Sequence, residues 1–200
     1  MANIFLKLCN DPSDPPDALL IKGESLDGTD DNDTGHYHLV DNHGHYKEIE
    51  LHSWHWDNQG ITNSATFKEA NSKEAVSKTT IHEIVVVKGC DAASVPLVLF
   101  CTGGKPIPYA VITCRKNADD FNGPHRYIEY LVVTLQNVMI SGILLTSEEM
   151  GLAEHVNLNF ERFDMRYKPQ PNKSADAQGT FDTGWIMTKH QESPSKAKPS

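Results

Sequence analysis

Apolar side chains along this chain recur mostly every second residue, in short runs bounded by prolines, glycines and polar clusters. That period of two marks strands with one buried face. Residues 3–8, NIFLKL, read as a first strand, and the three prolines between Asp11 and Asp17 impose a loop. Residues 18–22, ALLIK, form a second short apolar run. Residues 23–46 carry four glycines, five aspartates and four histidines and read as one long loop. In 47–56, KEIELHSWHW, the apolar positions are Ile49 and Leu51, then Trp54 and Trp56. The phase flips near Ser53, as at a bulge or in a strand buried on both faces.

Residues 57–78 are polar, rich in Asn, Ser, Thr and Lys, and predict a second long loop with short helical or extended pieces. A loop of that length in a compact domain is usually functional. TTIHEIVVVK at 79–88 is β-branched and predicts a strand. Residues 91–102 change character: Asp91 or Ser94 can cap a short helix, Pro96 fits its first turn, and Gly103-Gly104 ends it. Strands follow at 106–115 and at 127–145, the latter too long to stay flat, with a bend or interruption near Ser141-Gly142. In 155–167 the apolar phase moves from Val156, Leu158 and Phe160 to Phe163, Met165 and Tyr167, which predicts another bulge. Residues 181–188 form a last strand and 191–200 a disordered tail. One helix and about seven strands without a βαβ rhythm predict a mainly β fold, an antiparallel sandwich or barrel with one helix at its side or end.

Two hundred residues suffice for one domain, spanning 1–190. The N-terminus lacks the basic and long apolar regions of a signal peptide, so synthesis and folding in the cytoplasm are expected. No apolar stretch has membrane-spanning length. The net charge of −9 is local: residues 1–60 hold twelve acidic and three basic side chains, and residues 61–200 hold fifteen of each. No clustered basic surface speaks for nucleic acid, and the acidic block reads as a solvated loop. Cys9, Cys90, Cys101 and Cys114 form no C-x-x-C pair and read as free thiols.

Four groups have the chemistry for more. His36, His38, His43 and His45, with Glu48 close behind, are candidate metal ligands. The spacing departs from a cupin, since Glu48 follows His45 by only three residues and no second His and Asn block appears. A His-rich polar loop without a bound metal is the plainer account. No cysteine or serine lies in a nucleophile motif, Ser53 included. Gly103-Gly104-Lys105 lacks phosphate-loop spacing and reads as a helix stop. Glu148-Glu149 reads as an exposed turn.

The ordered series of segments resembles the Hcp family, haemolysin-coregulated proteins of the type VI secretion system. It consists of N-I-F-L-K-L, I-K-G-E-S at 21–25, S-W-H-W at 53–56, T-I-H-E-I at 80–84, C-T-G-G-K at 101–105, Y-I-E-Y-L-V-V-T-L at 127–135, V-N-L-N-F at 156–160, Y-K-P-Q at 167–170 and G-W-I at 184–186. The resemblance implies an antiparallel β-barrel with one short flanking α-helix and long loops. It further implies a non-enzymatic, cofactor-free subunit of homohexameric rings. Such rings stack into an inner tube, meet sheath and spike proteins, carry secreted effectors, and leave the cell through the type VI system.

On that resemblance the 57–78 loop reaches toward the next ring, with Gln59, Asn63, Ser64, Thr66 and Lys68 as stacking candidates. If Trp54 and Trp56 face the core, His55 faces the channel and contacts cargo. Residues 26–46 are an insertion relative to the family pattern. Two other readings stay open: a metal-dependent enzyme on a β-sandwich using the His36–His45 cluster, and a ring-forming effector carrier that does not build the tube.

Overall fold

The structure, a computed structural model, describes residues 4–27, 38–39, 44–57, 60–67, 75–117, 126–148, 151–169, 180–187 and 191–192. Within them the chain runs β1 (Ile4–Cys9), a 3-10 turn (Pro16–Ala18), β2 (His38–Leu39), β3 (Ile49–Glu50), β4 (Ser53–Trp56), β5 (Ile61–Phe67), β6 (Ala75–Ile81) and β7 (Ile84–Gly89). It continues through α1 (Ser94–Gly103), β8 (Ile107–Asn117), β9 (Arg126–Glu148), β10 (Gly151–Asn159), β11 (Arg162–Tyr167), β12 (Phe181–Ile186) and β13 (Gln191–Glu192). The fold is mainly β and antiparallel with one short α-helix, as the alternation predicts. The described exception is β2, which runs parallel to the start of β9 through His38↔Arg126 and Leu39↔Tyr127.

Strand β9 organises the rest. Its first half pairs with β8 on one edge and β11 on the other, and its second half pairs with β10. Between the halves Asn137 takes a positive φ of 51°, a left-handed conformation that asparagine tolerates better than most residues. Beyond it the register with β10 steps from Ile140↔Leu158 to Gly142↔Asn157, leaving Ser141 as the extra residue. The predicted interruption near Ser141-Gly142 is therefore a bulge inside one continuous strand. β10 and β11 follow β9 back along its length, and the return breaks at Phe160-Glu161. There the Glu161 amide donates to the Gln136 carbonyl and Asn137 Nδ2 donates to Glu161 Oε2 at 2.6 Å. That break shifts the apolar phase in 155–167.

The phase flip in 47–56 has an equally local cause. β3 pairs with β1, whereas β4 pairs with β7. The Leu51 amide donates to Ile4 O and the next amide, His52, to Val87 O. One segment thus changes partner within a single residue and links the free edges of two sheets. Hydrogen bonds then run through β1, β8, β9, β10, β7 and β4–β3 back to β1, the connectivity of a barrel, which leaves few open edges. Leu6, Ile84, Val86, Ile112, Leu135 and Leu158 fill its interior.

Four expectations change. The stretch 57–78 is not one loop: β5 and β6 pair from Ile61↔Ile81 to Phe67↔Ala75 as a separate two-stranded arm. The strand expected over 79–88 is two strands, broken at His82-Glu83 where the arm joins β7. Gln191–Glu192, at the start of the expected tail, pair with Ile186 and Trp185. Helix α1 starts with Ala93, not Asp91 or Ser94, in the capping position. Both predicted residues still act nearby: Asp91 Oδ1 accepts from the Ala93 amide and Ser94 Oγ from the Asp91 amide. Gly104, at φ +56°, ends the helix.

Gly23 in the I-K-G-E-S segment is dictated by space. Its amide donates to Lys47 O, and a Cβ there would lie 2.4 Å from Glu48 O and 2.7 Å from Ile49 Cα. Both contacts are backbone, so no side chain can rotate away. Gly23→Ala is expected to cost about 1–3 kcal/mol, the usual range for overpacking. Urea unfolding checks this, and a loss under about 0.5 kcal/mol, within the ordinary range for surface changes, would show that β3 can shift freely.

Candidate functional site

Four surfaces or clusters carry the residues singled out in the sequence. On β4 the side chains alternate as expected. Trp54 and Trp56 are half-buried against the core, with Trp54 Nε1 donating to Cys114 Sγ at 3.2 Å and Trp56 edge-on to Phe163 at 5.5 Å. His55 is exposed on the opposite face. Strand pairing fixes its neighbours: His55 lies opposite Val85, which lies opposite Asn157, and Val87 lies opposite His155. His155 thus shares a face with His55. The sequence reading missed it, although its place in the H-x-N alternation at 155–157 carried the signal.

On the arm, Asn63 is exposed and its Nδ2 donates to Thr79 Oγ1 at 3.4 Å. Ser64 and Thr66 are placed on β5 by their pairing with Lys78 and Val76. Gln59 and Lys68 lie outside the described residues.

Helix α1 exposes apolar side chains to an unusual degree. Val95 is 69% and Leu99 59% accessible, and Val98 is exposed beside them, while Leu97 packs into the core. Met139, next to the helix end at Gly104, and Leu144, Leu145 and Leu152 on β9 and β10 are exposed too. A helix apolar on nearly every side is normally buried on every side.

Of the four candidate metal ligands, His36 and His43 lie outside the described residues and His38 is placed only by its backbone. His45 is not part of a polar surface loop: it is 4% accessible and stacked on Phe5 at 4.1 Å. Its Nδ1 sits 2.8 Å from Glu48 Oε2, and its Nε2 lies 3.4 Å from Glu129 Oε1, in ion-pair range but outside hydrogen-bond alignment. Burial opposes the imidazolium, but the carboxylates of Glu129 and Glu48 outweigh it and raise the pKa to about 9. Asp27 Oδ2 accepts from the His45 amide and from Arg115 Nη1, and Arg115 lies over the other participant of the stack, Phe5, at 4.6 Å. Both ends of the 26–46 segment are therefore tied to the barrel wall. Carboxylates occupy both sides of the His45 ring. Among the described residues no three His, Cys, Asp or Glu side chains gather into a group able to hold a metal ion.

The thiols are free. Burial pushes Cys9 up to about 11 and also raises Cys114, the reverse of what an activated nucleophile needs. No helix among the described residues is long and apolar enough to cross a membrane.

Comparison with known proteins places this arrangement. Residues 39–167 match the family described as type VI secretion system effector, Hcp. Protein hcp1 of Pseudomonas aeruginosa is 31% identical over 110 residues, 54% of this chain and 65% of that protein, so the match spans a little under two thirds of the relative's length. The crystal structure of Hcp1 from Salmonella typhimurium shares the fold, with a TM-score of 0.60, 24% identity, and coverage of 96% of this chain and 99% of that one. A type VI secretion system effector from Yersinia pestis does so with a TM-score of 0.57, 20% identity, and coverage of 92% and 98%. The family match runs from β2 to the last residue of β11 and takes in every strand of the hydrogen-bonded circuit except β1, so the chain belongs to the Hcp family of type VI secretion proteins.

Proposed function

We propose that this chain is a non-enzymatic, ring-forming subunit of the type VI secretion inner tube. On this reading it is made in the cytoplasm, exported by the type VI apparatus, and carries effectors inside the ring. The observation that carries the proposal is helix α1, whose Val95, Val98 and Leu99 are exposed in the isolated protomer. Exposed apolar clusters on a soluble domain mark contacts with other proteins. A second copy supplies such a cover, and a heterologous contact repeated by rotation closes into a ring, expected to be hexameric.

Other surfaces take their roles from that arrangement. The β5–β6 arm with Asn63, Ser64 and Thr66, flanked in sequence by Gln59 and Lys68, contacts the next ring. His55 and His155 face the channel and its cargo. Sheath and spike proteins are the remaining partners. Stacking multiplies moderate contacts, so no single one needs to be strong.

Negative-stain electron microscopy of the purified protein is expected to give six-fold rings with an open channel. The double substitution Val95→Asp/Leu99→Asp is expected to shift rings to monomers in light scattering. Each protomer's stability should stay within about 0.5 kcal/mol, as for other exposed positions. Monomers of the unaltered protein at high concentration would sink the proposal. Rings that never stack would instead favour a carrier that does not build the tube.

A further inference from the structure

A cavity of about 310 Å³ opens at the root of the β5–β6 arm, lined by Asp57, Ile81, His82, Glu83, Asn159, Phe160 and Met187. Its position is fixed by backbone bonds, with the Asp57 amide donating to Glu83 O, the Gly60 amide to Asp57 O and the His82 amide to Gly60 O. Glu83 sits two residues before Val85, so it shares the outward face that carries His55. Its carboxylate is gripped by two amides from β10: Asn157 Nδ2 donates to Oε2 at 3.3 Å and Asn159 Nδ2 to Oε1 at 3.2 Å. Those donors orient the carboxylate without neutralising it, and no described cation pairs with Glu83. Asp57 adds a second carboxylate, and His82 lines the wall with a buried Nε2 that has no hydrogen-bond partner.

The remaining walls are Ile81, Phe160 and Met187. Fixed anionic oxygens beside an apolar wall match one kind of side chain, a cation on an aliphatic stem. A divalent metal fits worse, because no three ligating side chains converge among the described residues.

We propose that this cavity receives a lysine or arginine side chain presented by a cargo polypeptide. This rests on the reading of the His55 face as the cargo-facing one. The stem lies along Ile81, Phe160 and Met187, and the charged head meets Glu83 and Asp57. The site gives the tube a preference for cargo with basic side chains near its docking surface.

The test uses the full-length protein with methyl NMR on Ile81 and Met187. The probes are the blocked tripeptides Gly-Lys-Gly and Gly-Arg-Gly, with Gly-Gln-Gly as the neutral comparison. The basic peptides are expected to shift both methyls saturably. Glu83→Gln, which keeps the shape, is expected to weaken binding about tenfold, the scale of one charge-assisted hydrogen bond. Asn159→Ala, at an exposed position, releases one arm of the grip and should weaken it several-fold. Glu50→Gln, also exposed, should leave it unchanged. Equal shifts with the neutral peptide, or full affinity in Glu83→Gln, overturn the proposal. The ring reading fails separately, because monomers in the microscope would still report on the cavity through the same methyls.

Discussion

Lys88→Met is expected to lower the unfolding free energy by about 3–5 kcal/mol, the usual cost of removing one partner from a buried ion pair. Lys88 is fully buried, on the inward face of β7 with Ile84 and Val86. Directly opposite on β10 stands Glu154, also buried, with its Oε2 2.7 Å from Nζ. Nζ also lies 2.7 Å from Asp91 Oδ1, 2.7 Å from Gly89 O and 3.2 Å from Ser94 Oγ. An ammonium has three protons, so four acceptors share them and every donor is used. Methionine fills the space of the stem but offers no donor, leaving the buried Glu154 carboxylate and that of Asp91 without their common cation.

Asp91 and Ser94 also order the first turn of α1, so the damage should spread to the helix proposed as the ring contact. For a domain of this size, 1 kcal/mol moves the melting temperature by about 2–4 °C, so a fall on the order of 10 °C is expected. Lys88→Met/Glu154→Met removes both charges of the cross-strand pair and should recover much of the loss. Urea unfolding of both variants and of Glu154→Met closes the double-mutant cycle. A double variant no more stable than Lys88→Met would mean that the pair is not the source of the effect.

What the sequence disclosed was local, and what it hid depended on partners. The Trp54/Trp56 alternation, the flip before Ser53 and the Pro96-to-Gly104 helix each leave a mark within a few residues, because each is set by side-chain period or backbone restriction. The β5–β6 arm left little beyond the TTI at 79–81. It forms a separate two-stranded sheet whose sequence, ITNSATF against AVSKTTI, shows no long apolar alternation. Without that alternation the period that marks a strand is missing. Lys88 was concealed for the opposite reason. In the sequence it was only the last residue of the strand expected at 79–88, whereas its acceptors come from positions 89, 91, 94 and 154. His45 stood out among its neighbours as a candidate ligand, and only the folded chain brings Phe5, Glu129 and Arg115 around it. Burial of a charged group is decided by how the fold closes around it, which a single sequence does not show.

His45 therefore carries the second large prediction, a stability that depends on pH. Its pKa rises from 6.5 to about 9 on folding: burial works against the charge, and the carboxylates of Glu129 and Glu48 overcome it. Because the folded state binds the proton more tightly, the contribution is complete below pH 6.5. It declines as the unfolded chain gives up its proton above 6.5, and it is gone once the folded pKa near 9 is passed. A shift of that size corresponds to a contribution on the order of 3 kcal/mol. The charges that face the ring are Glu48 and Glu129. Asp27 and Arg115 join through the His45 amide and through Phe5.

His45→Phe keeps an aromatic ring on Phe5 but strands the two carboxylates. It should cost on the order of 3 kcal/mol at pH 6 and little near pH 9, so the slope seen in the unaltered protein disappears in the variant. The comparison has to stop near pH 9. Above it, the raised thiols of Cys9 and Cys114 resist an ionisation that the unfolded chain allows from about 9 upward, which adds a separate loss in both proteins. A slope between pH 6.5 and 9 that survives in His45→Phe would assign the effect to another group. Its disappearance, together with faster hydrogen exchange at the His45 amide bonded to Asp27, would locate the effect where His45 and Arg115 meet on one carboxylate.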